Sequence, residues 1–514
     1  MSSDSRTSKS LKNSTVALGF YVVSLALQFV SRRVFIKYLG SEVLGLNTTA
    51  VSLLQFLNLA EMGIGAAIAF TLYKPIAEND QKAMGEIVAV QGWFYRKIAM
   101  FVGISAVVLS LFFPVIFKKM TLPIWYAYGT FGALLLSTLL SYRYNYKQIL
   151  LSASQLEYKI TIAYKLPKIV KEIAQIIFIC IFPAIGYFLW ILLEIITAIV
   201  ATISLNRTIH RSFPFLAYQK FNGGILREKY PVILQKVKQL IFHKIGGFVL
   251  FQTSPLIIYA FTDLNIVAIY GNYMLIVSGL TMLLSALYNG LGAGVGNVVA
   301  TAEDARVMSL FREIYSSRFF IVSICCFGFA VCADSIISIW VGNGFVLSKS
   351  SMMLILLNMS INMMRPPIEL FLQAKGMFND IWAPVAEAIL NIGLSVTLGY
   401  FWGLNGILAG ISISLVCIIM IWKPYYLFRF GFRKSIWLYA WLVFRHFCVV
   451  LLVVLLWLGI RMYSAQYIKG EALDMLIFNL LITAGFTLCL FASLCFTEDG
   501  MRNFSRRLKQ MLHI

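Results

Sequence analysis

Five groups of polar side chains lie where this sequence is otherwise apolar, and each has a chemistry to offer. Glu61 sits near the middle of the run Gly45–Tyr73, which holds no other ionisable group. A carboxylate at bilayer depth is costly unless it faces protein or water. Asn58 precedes it by about one helical turn, so the two would share a face. Glu61 therefore reads as a proton- or cation-sensing group, or as a hydrogen-bonded structural one. In NMMRPPIELFLQAKG, Arg365 and Glu369 are spaced to meet on one helix face. Pro366 and Pro367 remove two backbone donors there and predict a kink. Arg365 lies about ten residues from Lys375, or about 15 Å along a helix, too deep for ordinary snorkelling. It reads as a phosphate or sugar-acid contact, or as half of a structural ion pair.

Arg32 and Arg33 are adjacent, so on a helix they point about 100° apart. One can meet lipid headgroups while the other faces inward. Lys168 and Lys171 share a face next to Glu172, which suits a basic cytoplasmic mouth or simple flanking charge. Glu387 and Asn391 make another one-faced pair.

These residues must be held by membrane-crossing helices. The chain has 514 residues, 60% of them hydrophobic and 13% charged, a balance that no soluble domain of this size needs. Fourteen apolar spans are expected, near 14–36, 45–72, 88–117, 123–142, 160–182, 185–206, 239–261, 266–295, 316–340, 351–373, 382–402, 404–424, 438–461 and 473–496. The first is expected to stay in place, since no small-residue cleavage site follows it. The fold class is thus all-α and polytopic: two six-helix lobes (14–206 and 239–424), plus two C-terminal helices (438–496). An even number of spans puts both termini on one side. Most of the 43 Lys and Arg residues then fall on that side, which makes it the cytoplasm. The same rule accounts for the net charge of +21 without nucleic acid. The basic segment Arg207–Lys238 is partly amphipathic and is expected on the inner membrane surface.

Shifting the sequence by 224 residues lays the second span over the eighth. Ala77–Asp80 then falls on Thr301–Asp304, and Glu61 on Ser285. The two lobes would be a parallel repeat, an arrangement that commonly encloses a midplane site. The outside loops are short and offer no domain for chemistry. No Walker loop is present, so ATP hydrolysis by this chain is not expected. The eight Cys lack metal-ligand spacing, and no cofactor is expected. The patch GLGAGVGN (290–297) reads as close helix packing or a bend.

The chain resembles bacterial polysaccharide flippases of the Wzx type, within the multidrug/oligosaccharidyl-lipid/polysaccharide exporter superfamily. The resemblance rests on LGSEVLGLN (39–47), NLAEMGIGAAI (58–68), LYKPIAENDQ (72–81), WFYRK (93–97), VAIYGNYMLI (267–276), GVGNVVATAED (294–304), IISIWVGNGFVLS (336–348) and RPPIELFLQAKGMFNDIWAPVAEAILNIGLS (365–395). It implies a transporter in the bacterial cytoplasmic membrane that moves an undecaprenyl-pyrophosphate-linked oligosaccharide outward by alternating access. Its partners would be that lipid-linked substrate, membrane lipids, a proton or sodium ion and polysaccharide polymerase machinery. The resemblance places Arg365 and, by location, Arg33 in the substrate cavity. Asn58, Glu369, Glu387 and Asn391 are expected to line it from their own one-faced spacing, and Glu61 is the candidate coupling group. One departure bears on coupling: the resemblance implies an acid after Thr253, and this chain has Ser254-Pro255. A multidrug cation antiporter of the same superfamily is the nearer rival reading. A polytopic polysaccharide polymerase or glycosyltransferase is the more distant one.

Overall fold

The computed structural model describes residues 6–61, 63–219, 221–237, 253–288, 291–377, 379–380, 382–465 and 472–511. Every regular element among them is helical. Among the described residues, eight helices are long and apolar enough to cross a membrane, and one of those, Trp382–Gly431, carries two of the expected spans. The faces turned outward are strongly apolar, with Ile104, Leu111, Leu452 and Leu488 all more than half exposed. In water such surface would drive association; in a bilayer it meets acyl chains. The protein is an all-α, multi-pass membrane protein.

The chain divides into two compact units, residues 1–268 and 269–514. The first begins with α1 (Arg6–Tyr38), α2 (Ser41–Leu57) and α3 (Ile64–Ala77), followed by α4 (Gln81–Leu111), α5 (Trp125–Tyr144), α6 (Leu166–Ile181) and α7 (Gly186–Ser212). α7 lies against α5 and α6, α1 against α6, and α2 and α4 against α5. The expected continuous helix over 45–72 is broken. A 3-10 turn occupies Asn58–Glu61, and Gly63 then takes φ +89, a conformation open mainly to glycine. A polar turn follows, where the Asp80 side chain accepts the Ala83 N–H at 2.9 Å and starts α4.

The segment after α7 is folded onto α4. Ile233 is fully buried, and the Tyr230 hydroxyl and the Lys229 ammonium both donate to Glu86, at 2.7 and 2.5 Å. Gly223 touches the α4 backbone so closely that a Cβ would meet the Ala89 carbonyl oxygen at 2.0 Å. Most of the seventh span, 239–252, lies outside the described residues; its end is α8 (Ser254–Phe261).

The second unit takes most of α9 (Leu264–Tyr288). It continues with α10 (Leu291–Thr301), α11 (Asp304–Trp340), α12 (Lys349–Ala374), α13 (Trp382–Leu415), α14 (Ile436–Ala465), α15 (Ala472–Thr497) and α16 (Asp499–Met511). The order of elements follows the 224-residue shift. α2, α3 and α4 correspond to α9, α10 and α11, and the end of α3 at Ala77 maps onto the end of α10 at Thr301. α11 is the hub of this unit, contacting α12, α15 and α16.

α13 is two antiparallel arms meeting at Gly403, whose φ of +54 and ψ of −132 reverse the chain. The arms touch backbone to backbone: a Cβ at Gly406 would lie 1.9 Å from the Leu398 carbonyl oxygen. Gly406→Ala is therefore expected to force the arms apart at a cost of about 1–3 kcal/mol. A lowered thermal midpoint for the purified protein would register that change, whereas Gly393→Ala, at a position open to space, should leave it unmoved.

Candidate functional site

In the first unit, the break between α2 and α3 presents Asn58 and Glu61 to two tyrosines. Tyr95 of α4 donates its hydroxyl to Glu61 Oε1 at 2.6 Å, and Tyr142 of α5 donates to Asn58 Oδ1 at 2.9 Å. The two rings meet edge to face at 5.7 Å. A 3-10 turn narrows the helix and swings both polar side chains toward α4 and α5. The tyrosines supply the donors that a carboxylate needs at this depth. Tyr95→Phe removes one of them and is expected to lower stability by about 1–3 kcal/mol, read as a shift in thermal midpoint that Glu61→Gln combined with Tyr95→Phe partly reverses.

A second polar site lies deeper in the same unit. A hollow of about 240 Å³ is lined by Arg32 of α1, Asn47 and Thr48 of α2, Lys171, Glu172 and Gln175 of α6, and Trp190 and Glu194 of α7. Lys171 Nζ pairs with Glu194 Oε1 at 2.5 Å. Gln175 Nε2 donates to the same oxygen and to the Trp190 carbonyl, both at 3.2 Å. Asn47 Oδ1 and Glu172 Oε2 are buried and accept no hydrogen bond among the described residues. Of the adjacent arginines, Arg32 faces this hollow while Arg33 is exposed. Arg33 is the residue expected in the cavity; it is Arg32 that lines this hollow, on the side of α1 that packs against α6. Lys168 is also exposed, its ammonium 4.3 Å from the centre of the Tyr164 ring. Lys171 is drawn into the hollow, so the two lysines do not form one mouth.

In the second unit, Arg365 is held between two carboxylates. Its Nε donates to Glu369 Oε1 at 2.6 Å and its Nη1 to Glu387 Oε1 at 3.1 Å. Glu387, on the first arm of α13, is fully buried, and its second oxygen accepts no hydrogen bond among the described residues. With both acids ionised the trio carries net negative charge, so the guanidinium is committed to protein rather than open to an anion. Asn391 points into the α13 hairpin, its Nδ2 3.4 Å from Ser414 Oγ, and is buried. It ties the two arms together.

Sequence reasoning missed the group that answers the double proline. α12 runs on through Pro366 and Pro367. A proline at 367 has no N–H for the Met363 carbonyl. Arg318 of α11, almost fully buried, donates its Nε to that carbonyl at 2.6 Å and stacks over the Tyr288 ring at 4.7 Å. Nothing in the sequence around Arg318 marks it as inward-facing. Beside it is a hollow of about 290 Å³ bordered by Ser285, Tyr288, Arg318, Pro366, Glu369 and Gln373. Ser285 is the residue that the repeat sets against Glu61. The pair Lys423–Asp380, at 2.9 Å and nearly buried, was also invisible in the sequence.

No protein-family model matches the chain, and no curated protein matches it in sequence. Solved structures do match in fold. One, described as the lipid II flippase MurJ in an inward closed conformation, superposes with a TM-score of 0.60 at 14% identity, covering 93% of this chain and 99% of its own. Another, an inward-facing multidrug resistance MATE family transporter of the MOP superfamily, gives 0.55 at 11% identity over 79% of this chain and 94% of its own. The chain shares the fold of these two structures, and at these identities the likeness concerns fold alone.

Proposed function

We propose that this protein is a flippase that carries an undecaprenyl-pyrophosphate-linked oligosaccharide from the inner to the outer leaflet of a bacterial cytoplasmic membrane, supplying surface polysaccharide biosynthesis. The observation that carries the reading is the polar hollow in the first unit. Arg32 and Lys171 stand there inside helices whose outer faces are apolar. Buried ionisable groups in a membrane bundle mark a path for a polar substrate. Arg offers a pyrophosphate a bidentate fork, which makes Arg32 the main contact, with Lys171 joining it only by exchanging Glu194 for the phosphate. The lipid tail stays in hydrocarbon while the headgroup crosses. Arg365 serves this scheme as a latch rather than a direct phosphate contact, and Glu61 with its tyrosines is the candidate coupling site for a proton or sodium ion. The MurJ likeness supports the reading in so far as that protein is described as a lipid flippase.

The rival is a multidrug cation antiporter, favoured by the buried carboxylates Glu387 and Glu194. Depleting the protein in cells and identifying what accumulates separates the two. A lipid-linked oligosaccharide held on the inner leaflet, with unchanged dye efflux, is the result expected. Lost dye efflux with no lipid intermediate assigns the antiporter.

A further inference from the structure

The C-terminal helix α16 is clamped to the second unit. Met501 is fully buried, and a Cβ at Gly500 would lie 2.4 Å from the Arg312 carbonyl oxygen. Arg507 Nη2 reaches Glu313 Oε2 at 3.1 Å, and the buried Glu498 takes Arg445 Nη2 at 2.5 Å. This clamp sets the first turn of α16 against the third turn of α11. Between them and the turn at Lys434 is a hollow of about 480 Å³.

Four cations converge on it: Arg312 from α11, Lys434 from the turn before α14, and Arg502 and Arg506 from α16. Its one acid, Asp499, is already paired with Arg502 at 2.7 Å. Arg312, Lys434 and Arg506 have no ion pair among the described residues. Ser309 and Asn503 add neutral polar groups to the wall. Charges that merely flank a membrane span need not converge. Arg312, Arg502 and Arg506 are exposed and Lys434 is partly so, so solvent screens much of their mutual repulsion. They nonetheless come from segments far apart in sequence and line one hollow, where a multivalent anion lowers the repulsion that remains.

We infer that this hollow is a binding site for a phosphate-bearing anion, separate from the transport path, with Arg312 and Arg506 as its main ligands. The anion bridges α11 and α16. A phosphate group has enough acceptor oxygens to engage several guanidinium forks at once. The source is either the head of an acidic phospholipid in the adjoining leaflet or a soluble polyphosphate.

The test uses the full chain in nanodiscs. In one arm the disc lipid is phosphatidylcholine alone and inorganic pyrophosphate is titrated in. In the other, native mass spectrometry follows retained phosphatidylglycerol. Arg312→Gln with Arg506→Gln should weaken binding at least tenfold in one arm or both, since each neutralised cation near a membrane surface is worth about fivefold. Lys509→Gln, exposed on the same helix but outside the hollow, should bind like the unmodified protein. A response in the lipid arm alone identifies a headgroup site, and in the pyrophosphate arm alone a soluble ligand. Equal binding by the double variant in both arms, no binding by the unmodified chain, or an equal loss in Lys509→Gln overturns the site. Should the double variant aggregate, Lys434→Gln is read in the same two arms and must show a several-fold loss.

Discussion

Arg365→Met lowers the stability of the purified protein by about 3–5 kcal/mol, the cost of leaving a buried charge without its partner. Glu387 is the reason. It is fully buried at 3.1 Å from the guanidinium, whereas Glu369 keeps some contact with its surroundings. Replacing Glu387 as well, in Arg365→Met with Glu387→Met, removes the stranded carboxylate and is expected to recover most of the loss, because two apolar side chains of similar volume can fill the space. Thermal midpoints followed by tryptophan fluorescence rank the two variants. A double variant no more stable than the single one would mean that Arg365 works through packing and not through charge.

The second large effect is on transport. Lys171→Met removes a cation from the first-unit hollow and strands Glu194, so both stability and headgroup transfer should fall. Lys171→Met combined with Glu194→Met restores the balance of charge without restoring the cation. Stability should return while translocation stays about 10- to 100-fold below the unmodified protein, the range carried by about 1.5–3 kcal/mol of charge-assisted hydrogen bonding. The split between the two readouts separates a functional cation from a structural pair.

Much of the scaffold was legible because the rules behind it are local. Apolar run lengths placed the long helices, and the chain reversal between 402 and 404 is written in Gly403. The 224-residue repeat was visible in hydropathy, and α3 and α10 end at matching positions. The break at 58–63 was not foreseen, because a run with no proline gives no warning of a 3-10 turn; Gly63 and the polar pair Asn58 and Glu61 were the only clues. Partnerships were the least legible. Tyr95 reaches Glu61 across 34 residues, and Arg318 reaches Met363 across 45. Spacing rules apply within one helix and say nothing about which neighbour it will meet. For the same reason Glu369 could be paired with Arg365 from the sequence, while Glu387 could be recognised only as polar.

The central claim is that cations buried among membrane helices carry an anionic headgroup. Its most direct test is translocation of a fluorescent polyprenyl-pyrophosphate oligosaccharide in liposomes reconstituted with equal amounts of the unmodified protein and of Arg32→Gln. A rate at least tenfold lower for Arg32→Gln, with Arg33→Gln close to normal, is the result predicted. Equal rates for the unmodified protein and Arg32→Gln, or no translocation by the unmodified protein above empty liposomes, would contradict it.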